Sequence, residues 1–243
     1  MGLAVYTALF GGYDGLQEPV IRNANCDFIC FTDDRTLTSQ RWKIVHVPAL
    51  SDMTDPAMMN RHIKLHPHVY LPDHDVSIYI DANLRLRRDP MELVDKYLAD
   101  GMFAAPRHPT RNCVYDEIQT CIEVGKTDPQ TGKAQADRYR REGYPPQNGL
   151  TENRVLIRRH HHPAVRALMD AWWAELMAGI KRDQASLQVV CWRLGFKIRY
   201  MTEDIICSRH FMYRPHKNER LTVRAKIDAL IVLKSLSRLL ESR

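Results

Sequence analysis

The sequence lacks three features that would each assign it to a special class. Among its 243 residues there is no run of about eighteen apolar residues, the length that a membrane-spanning helix needs. Its six cysteines are few for this length and form no CxxC pair, which argues against a disulfide framework or a zinc knuckle. The first residues, MGLAV, enter a strand pattern directly, without a basic segment and a cleavage site. We therefore expect a soluble cytoplasmic protein.

Acidic residues are outnumbered, and this excess of positive charge favours anionic partners. The 35 Lys and Arg against 29 Asp and Glu leave a net charge of +6. Nucleic acid is the partner that we exclude, because the basic residues are dispersed and no RNP-type motif or helix-turn-helix signature occurs. The GxGxxG and GxxxxGK[ST] motifs are absent as well, so dinucleotide and P-loop sites lack their marker.

Apolar runs without alternation predict strands that are buried on both faces. These runs are residues 3–10, 28–31, 42–47 and 76–81, and weaker ones follow at 102–105, 154–158 and 197–201. Helical patterns lie between them at 57–66, 113–124, 163–177 and 183–194. This alternation predicts one α/β domain over residues 1–215 with a mostly parallel central sheet flanked by helices, and a helical tail at 216–243. Ligands should gather at the carboxyl ends of the strands.

The fourth predicted strand ends in a pair of polar residues. Asp81 and Asn83 are two positions apart, so an extended backbone turns both side chains toward the same side. Carboxylate and amide oxygens suit hard divalent cations such as Mg²⁺ or Mn²⁺. The structural alternative is that Asp81 caps the following turn and Asn83 adopts the left-handed conformation.

Several segments together resemble a known family. The chain is similar to the glycosyltransferase-like domain that is shared by many bacterial proteins and by plant proteins linked to mucilage and cell-wall polysaccharide. The segments that carry the resemblance are YTALFGGYD at 6–14, CDFICFTD at 26–33, RHIK at 61–64, SIYIDAN at 77–83, ENRVLIR at 152–158 and RDQASL at 182–187. The likeness covers roughly residues 3–215.

The resemblance implies a GT-A-like fold in a glycogenin-like layout, and a nucleotide-sugar donor. It implies that Asp81-Ala82-Asn83 is a DxD-type motif that holds Mn²⁺ or Mg²⁺ against the donor's diphosphate. Asn83 replaces the second acid, so weaker ion binding or metal-independent activity stays open. The same layout supplies a third metal ligand from the loop of the last strand, which predicts His210, with His216 as the competing candidate.

Donor binding is expected in the loops that follow the first two strands. The resemblance places Thr7, Phe10, Gly11 and Tyr13 in the nucleotide site. Gly11 allows close approach of a ligand, and the Tyr13 ring could stack on a base, although such a glycine pair also simply makes a turn. Asp33 could accept a hydrogen bond from a uracil-like edge or a ribose.

Three charged residues are predicted to act at the donor's reacting end. Arg61 and Lys64 share one side of a helix and could meet the charge of the leaving diphosphate, although a solvated basic face is the ordinary alternative. Asp183 begins a periodic segment, which suggests an N-cap. In the glycogenin-like layout an acid at this place contacts the donor sugar, so Asp183 is the expected catalytic carboxylate, orienting the sugar or taking a proton.

The acceptor side is expected to include Arg107, His108, Glu152 and Asn153, with the polar residues 125–143 as a lid or acceptor loop. The three consecutive histidines at 160–162 are expected at the surface, since contiguous side chains diverge on a regular backbone.

The tail at 221–243 reads as a basic amphipathic helix. Docking on the domain or in a homodimer is the ordinary explanation. Peripheral contact with the inner face of an anionic membrane, where a lipid-linked acceptor would lie, is the alternative.

These observations favour a hexosyltransferase-like glycosyltransferase with a UDP-sugar donor. It would move the sugar to a hydroxyl of a glycan or of a lipid-linked glycan in polysaccharide biosynthesis. Two alternatives stay open: a metal-dependent hydrolase that activates water at the same acidic strand end, and a non-catalytic carbohydrate or nucleotide binder on the same fold.

Overall fold

The structure is a computed structural model that describes residues 2–21, 25–48, 53–217, 219 and 221–241. Its strands are β1 Leu3–Leu9, β2 Asp27–Thr32, β3 Lys43–His46, β4 Val76–Ile80, β5 Leu84–Leu86, β6 Phe103–Pro106, β7 Val155–Arg158, β8 Arg199–Met201 and β9 Phe211–Tyr213. Its helices are α1 Pro56–Leu65, α2 Pro67–Tyr70, α3 Met91–Leu98, α4 Val114–Glu123, α5 Pro129–Arg141, α6 Pro163–Ala178, α7 Leu187–Arg193 and α8 Leu221–Glu241.

The central sheet has seven strands in the order β3-β2-β1-β4-β7-β6-β8. The β1–β2, β2–β3, β1–β4 and β6–β8 pairs are parallel, and β7 runs antiparallel to both of its neighbours. This confirms the α/β fold with a mostly parallel sheet. The carboxyl ends of β1, β2 and β4 therefore meet at one edge, which is where the predicted donor site lies.

Alternate residues of the strands enter two cores, one on each face of the sheet. In β1, Leu3 and Val5 pack into one cluster with α3, whereas Ala4 and Tyr6 pack into the other with α1, α6 and α7. A strand with apolar side chains on both faces has no alternation of polarity, because neither face meets water. The unbroken apolar runs in the sequence follow from this burial.

The entry into α1 is fixed by Asp55 and Pro56, as the sequence predicts. Asp55 accepts a hydrogen bond from the Ala57 N–H at 2.9 Å, and Pro56 occupies the first turn, where its missing N–H is not needed. Gly11, at the end of β1, has φ +63°, and a Cβ there would lie 2.8 Å from Pro56. A glycine is needed at this position for both reasons.

A two-stranded sheet of β5 and β9 lies beside the main sheet and was not predicted. Its register pairs Leu84 with Tyr213 and Leu86 with Phe211. The N–H of Arg214 continues the pairing to the Asn83 carbonyl at 2.9 Å. This ladder brings the C-terminal part of the chain to the end of the Asp81–Asn83 turn.

Helix α8 docks on the domain through one face. Ile231 is buried, Ile227 packs against the α3-side core, and the Lys234 ammonium pairs with Asp204. Leu230, Leu233 and Leu236 of the same helix are exposed. No described helix has both the length and the apolar character needed to cross a bilayer. Residues 218, 220, 242 and 243 of the predicted tail lie outside the described residues.

Three local predictions from the sequence need correction. The polar residues 125–143 contain α5, whose buried Gln135 and Tyr139 pack it against the domain, so they form a helix rather than a lid loop. The helix predicted at 183–194 begins with a separate 3₁₀ turn, Asp183–Ala185, before α7. His160 is buried, whereas the neighbouring His161 and His162 are exposed as expected.

We expect the protein to lose stability as the pH falls from 6.5 to 4. Burial lowers the pKa of His62, His108 and His160 from 6.5 to about 4, so these side chains are neutral in the folded state at pH 5. In the unfolded chain the same histidines bind protons as the pH falls below 6.5. Protonation therefore favours the unfolded state between pH 6.5 and the folded-state pKa of about 4. Thermal melts at pH 7.5 and 5.0 should show a lower Tm at pH 5.0.

The contribution of His160 can be isolated with its neighbour as a control. The His160 ring nitrogen Nε2 lies 3.2 Å from the Leu71 carbonyl, and a glutamine amide can replace that donor without titrating. We expect His160→Gln to reduce the Tm difference between pH 7.5 and 5.0, and His161→Gln at the exposed position to leave it unchanged. Equal pH sensitivity of both variants and the parent would contradict the assignment.

Candidate active site

The predicted charged residues Lys64 and Asp183 form a buried ion pair. The Lys64 Nζ atom lies 2.6 Å from Asp183 Oδ2, and the two residues are only 5% and 6% exposed. Lys64 Nζ also lies 4.7 Å from the centre of the Tyr79 ring, and the Tyr79 hydroxyl donates to Asp81 Oδ1 at 3.0 Å. Lys64 thus links the Asp183 turn to the carboxylate at the end of β4.

The charge state of Asp183 is set by three surrounding cations. Burial alone would raise the pKa of Asp183, but the Lys64 ammonium, together with the charges of Arg61 and Arg182, lowers that pKa to about 2. Asp183 is therefore ionised at neutral pH and is a weak base. Arg61 lies near the pair, as its effect on the pKa of Asp183 requires, and its Nη1 donates to the Ala57 carbonyl at 2.8 Å.

The backbone of Lys64 is held from behind by a buried arginine. The Lys64 carbonyl accepts hydrogen bonds from the Tyr6 hydroxyl at 2.8 Å and from Arg158 Nη1 at 2.9 Å. Arg158 is fully buried, and its guanidinium also donates to the Tyr6 hydroxyl. Burial raises the pKa of Tyr6 to about 12, so the hydroxyl stays neutral and available as a donor. The last turn of α1 is fixed by these contacts.

Residues 151–154, which precede β7, close the site on its other side. The Asp81 N–H donates to the Arg154 carbonyl at 2.9 Å, and Arg154 Nε lies 3.0 Å from Glu152 Oε1. Gln184, next to Asp183, donates to the Thr151 carbonyl at 3.5 Å. A continuous ring of contacts therefore runs from Asp81 through Tyr79, Lys64, Asp183, Gln184 and residues 151–154 back to Asp81.

Glu152 differs from Asp183 in its electrostatic surroundings. Burial raises the pKa of Glu152, the Arg154 guanidinium opposes this, and the carboxylates of Asp81 and Asp204 raise it further. The site thus contains two carboxylic acids whose pKa values are moved in opposite directions, which is the arrangement that separates an acid–base group from a permanently charged one.

Asn83 lies beside His216 rather than His210. Its Nδ2 atom is 3.3 Å from His216 Nδ1, and the same ring nitrogen contacts Asp14 Oδ2 at 2.5 Å. His210 instead lies between Glu92 and Glu203, at 3.2 Å from each. The Arg87 N–H donates to the His210 carbonyl, so the β5–β9 register places His210 at the far end of that ladder from Asn83.

The nucleotide residues predicted from the first two strands fall into two groups. Tyr13 is 61% exposed, with its ring 5.3 Å from the ring of His216, so it offers an open aromatic face at the site. Asp33 is exposed, and both of its carboxylate oxygens lie 3.1 Å from the Gly11 N–H, which ties the ends of β1 and β2 together. The side chains of Thr7 and Phe10 are buried in the domain interior.

The predicted acceptor residues lie on two adjacent segments. Arg107 forms a bridge with Thr151, and the His108 N–H donates to the Leu150 carbonyl at 2.9 Å. The Arg107 guanidinium lies 4.1 Å from the centre of the Tyr200 ring. His108 is in contact with Arg111 at 3.0 Å. These contacts place Arg107 and His108 beside the segment that carries Glu152, and their role on the acceptor side stays a prediction.

Buried polar atoms without partners concentrate in this region. Within the described part of the chain, Asn83 Oδ1, both side-chain amide atoms of Asn153, and Arg154 Nη1 have no hydrogen-bond partner. Asn83 and Asn153 are each 2% exposed. Because buried polar groups are normally satisfied in native proteins, such a concentration indicates a place where a ligand or ordered water supplies the missing bonds.

The orphaned Asn83 oxygen also bears on the predicted ion. Mn²⁺ can be bound by an amide oxygen, by the Asp81 carboxylate and by the His216 imidazole. Mg²⁺ prefers the two kinds of oxygen ligand. Three His, Cys, Asp or Glu side chains do not come together as a metal site anywhere in the described ranges. The Asn83 amide oxygen and the Asp81 carboxylate are the oxygen ligands that the predicted motif offers to a divalent ion at this place.

Sequence reasoning did not single out Tyr79, Asp14, Arg154 or Arg182. Tyr79 is two positions before Asp81 on the same strand, so the strand period was a usable signal. Asp14 follows directly on the glycine turn. Arg154 and Arg182 gave no signal by themselves, because an isolated arginine before a strand or a turn is most often solvated.

A mostly parallel sheet with packed side chains on both faces, and with charged and partly unsatisfied residues at the carboxyl ends of its strands, places the chain among α/β folds of the doubly wound class, whose ligands bind at that edge. The family described as "TOD1/MUCI70, glycosyltransferase-like domain" matches residues 1–213, and the chain belongs to that family.

Two curated relatives are from Arabidopsis thaliana. The chain is 25% identical over 249 residues to the "Probable hexosyltransferase MUCI70", covering 90% of this chain and 42% of the relative. It is 23% identical over 233 residues to the "Alkaline ceramidase TOD1", covering 82% of this chain and 50% of the relative. The chain thus spans half or less of the length of these relatives. Mouse xyloside xylosyltransferase 1 in its apo form is a structural neighbour with TM-score 0.43 and 12% identity, over 82% of this chain and 84% of that chain.

Proposed function

We propose that the chain is a glycosyltransferase that uses a nucleotide-sugar donor, a UDP-sugar. It would move the sugar to a hydroxyl of a glycan or of a lipid-linked glycan. The observation that carries the proposal is the ring of contacts joining Asp81, Lys64, Asp183 and Glu152 at the strand ends, together with the unsatisfied amides of Asn83 and Asn153. Membership of the glycosyltransferase-like family and the name of the hexosyltransferase relative support the same reaction class.

The donor's diphosphate is assigned to the end of β4. Asp81, Asn83 and His216 would hold Mn²⁺ or Mg²⁺, whose charge offsets that which develops on the leaving diphosphate. His216 replaces His210 in this assignment because it is His216 that contacts Asn83. Arg61 and Lys64 add fixed positive charge on the α1 side. Gly11, Tyr13 and Asp33 are assigned to the nucleoside.

The two carboxylates receive different roles in the proposal. Asp183 orients the donor sugar, because a group whose pKa is lowered to about 2 is a poor proton acceptor at neutral pH. Glu152 takes the proton of the attacking acceptor hydroxyl, since its raised pKa makes it the stronger base of the two. Asn153 offers its unpaired amide to a sugar hydroxyl.

A panel of nucleotide sugars with and without Mn²⁺ tests the proposal. A ligand at about 100 times its Kd stabilises the folded state by about 2.7 kcal/mol, which for a chain of this size corresponds to a rise in Tm of roughly 5–10 °C. We expect UDP and one UDP-sugar to produce such a rise, and that sugar to be transferred to a saccharide acceptor. A panel in which no nucleotide raises Tm would refute the proposal.

The hydrolase alternative is kept because one relative carries the name alkaline ceramidase. A hydrolase and a transferase differ in what they need besides the first substrate. Transferase activity produces free nucleotide rapidly only when an acceptor is present, whereas a hydrolase forms product without one. Incubation of the protein with ceramide alone, followed by measurement of released fatty acid, separates the two, and release at an enzymatic rate would favour the hydrolase.

The remaining partner assignments stay predictions. Helix α8 exposes Leu230, Leu233 and Leu236. Contact of these side chains with an anionic membrane would suit a lipid-linked acceptor. Their packing against a second copy of the chain would instead make a homodimer. The membrane-contact prediction includes a cytoplasmic location at the inner face of the membrane.

A further inference from the structure

A cavity of about 450 Å³ lies between the loop after β1, the start of β5 and the C-terminal segment. Its volume is within the roughly 300–1,000 Å³ that is typical of small-molecule sites. Asp14 and Asn83, both residues of the candidate active site, form part of its wall. Four cationic side chains also line it, namely Arg85, Arg214, Lys217 and Arg224. Asp228 is the other acid in the wall.

The two carboxylates of the cavity wall do not balance these four cations. Within the described residues no carboxylate forms an ion pair with any of them, and the Arg85 Nε atom is buried without a hydrogen-bond partner. Asp14 is already engaged, since its carboxylate contacts His216 Nδ1 at 2.5 Å and the Lys217 N–H at 3.3 Å. Like charges that line one cavity repel one another, so their convergence indicates an anionic ligand.

Backbone hydrogen bonds and core packing fix the segments that carry three of these cations. The Arg214 N–H donates to the Asn83 carbonyl at 2.9 Å, and the Lys217 N–H donates to Asp14. Arg224 is carried by α8, whose Ile227 packs against the domain core. The family match ends at residue 213, so three of the four cations belong to the part of the chain beyond it.

We propose that this cavity binds the diphosphate of the nucleotide donor through Arg85, Arg214, Lys217 and Arg224 even when no divalent ion is bound at Asp81, Asn83 and His216, and that α8 is one wall of the donor site. The inference rests on the proposed function, because it takes the anion to be the donor's diphosphate. Arg and Lys side chains form strong charge-assisted hydrogen bonds with phosphate oxygens.

The position of the cavity explains how the chain accommodates Asn83. A second acid at this position would add negative charge next to the diphosphate and would need a metal ion to offset it. A neutral amide leaves the four cations free to meet the diphosphate directly. Part of the positive charge that a DxD-type site takes from an ion is supplied here by arginine and lysine side chains from two separate parts of the sequence.

Calorimetric titration with inorganic pyrophosphate and with UDP, each in excess EDTA, tests the proposal on the full chain. We expect the wild type to bind both in EDTA, and Arg224→Gln and Arg214→Gln each to weaken binding by roughly tenfold, the loss of one charge-assisted hydrogen bond. Asp228→Asn removes the opposing carboxylate and should strengthen binding, a change that misfolding cannot produce. Arg141→Gln on α5 removes the same charge away from the cavity and should leave binding unchanged.

Two results would overturn the proposal. One is that the wild type binds neither pyrophosphate nor UDP in EDTA. The other is that the Arg214, Arg224 and Asp228 variants, folded by circular dichroism, bind with the same affinity as the Arg141→Gln control. If the cavity variants change the affinity for pyrophosphate but no UDP-sugar is turned over, the anion site stands and the proposed function fails. If a UDP-sugar is turned over but the cavity variants bind with unchanged affinity, the proposed function stands and the anion site fails.

Discussion

Replacing Lys64 by Met lowers the free energy of unfolding by about 3–5 kcal/mol, the usual cost of leaving one member of a buried ion pair uncompensated. Asp183 is 6% exposed and Lys64 provides its nearest positive charge, at 2.6 Å. Without the ammonium, only the charges of Arg61 and Arg182 remain to oppose burial, which raises the pKa of Asp183. Urea denaturation of the wild type and the variant at pH 7 measures the difference.

A second variant separates the stability of the pair from its function. In Lys64→Met/Asp183→Asn neither buried charge remains, so most of the lost stability should return, whereas glycosyl transfer should stay abolished. Lys96→Met is the matched control, because Lys96 Nζ pairs with Glu203 at 2.9 Å while being 50% exposed, and should cost less than about 1 kcal/mol. Equal costs for Lys64→Met and Lys96→Met would show that burial does not govern the first pair.

Replacing Asp81 by Asn should reduce turnover roughly 100- to 1,000-fold, the range found when one electrostatic group is removed from a transition-state site. The amide keeps an oxygen for the Tyr79 hydroxyl, which donates to Asp81 at 3.0 Å, so the buried contact survives while the charge is lost. We also expect the Mn²⁺-dependent part of the UDP-induced rise in Tm to disappear.

The control for this variant is Asp95→Asn on the exposed side of α3, which should change neither turnover nor binding. Binding of UDP in EDTA should persist in Asp81→Asn, because that binding is assigned to the arginine-lined cavity. Undiminished turnover with an intact Mn²⁺ response would remove Asp81 from the site.

Much of the sheet was predictable because its central strands, β1, β4, β7 and β6, are buried on both faces. Seven apolar runs correspond to the seven strands of the central sheet, and the turn of Asp81 and Asn83 was recognisable from its position after the fourth of them. The strands β5 and β9 were missed because each has three residues, which is too short for periodicity to be distinguished from a loop.

Long-range pairing was the part that the sequence could not provide. Lys64 and Asp183 are 119 positions apart, and each had an ordinary local explanation as a solvated lysine or a helix cap. The choice between His210 and His216 depended on the register of β5 with β9, which places only His216 next to Asn83. His160 was expected at the surface because burial of a single histidine in a run of three leaves no pattern.

The contact of Gly11 with Pro56 has a mechanical consequence. Because the turn after β1 rests on the first proline of α1, the loop that carries Tyr13 and the helix that carries Lys64 are braced against each other. The Lys64 end of that helix is anchored in turn by Tyr6 and Arg158. We therefore expect any movement that admits a substrate to come from the other side of the site, where Arg214, Lys217 and α8 line the cavity.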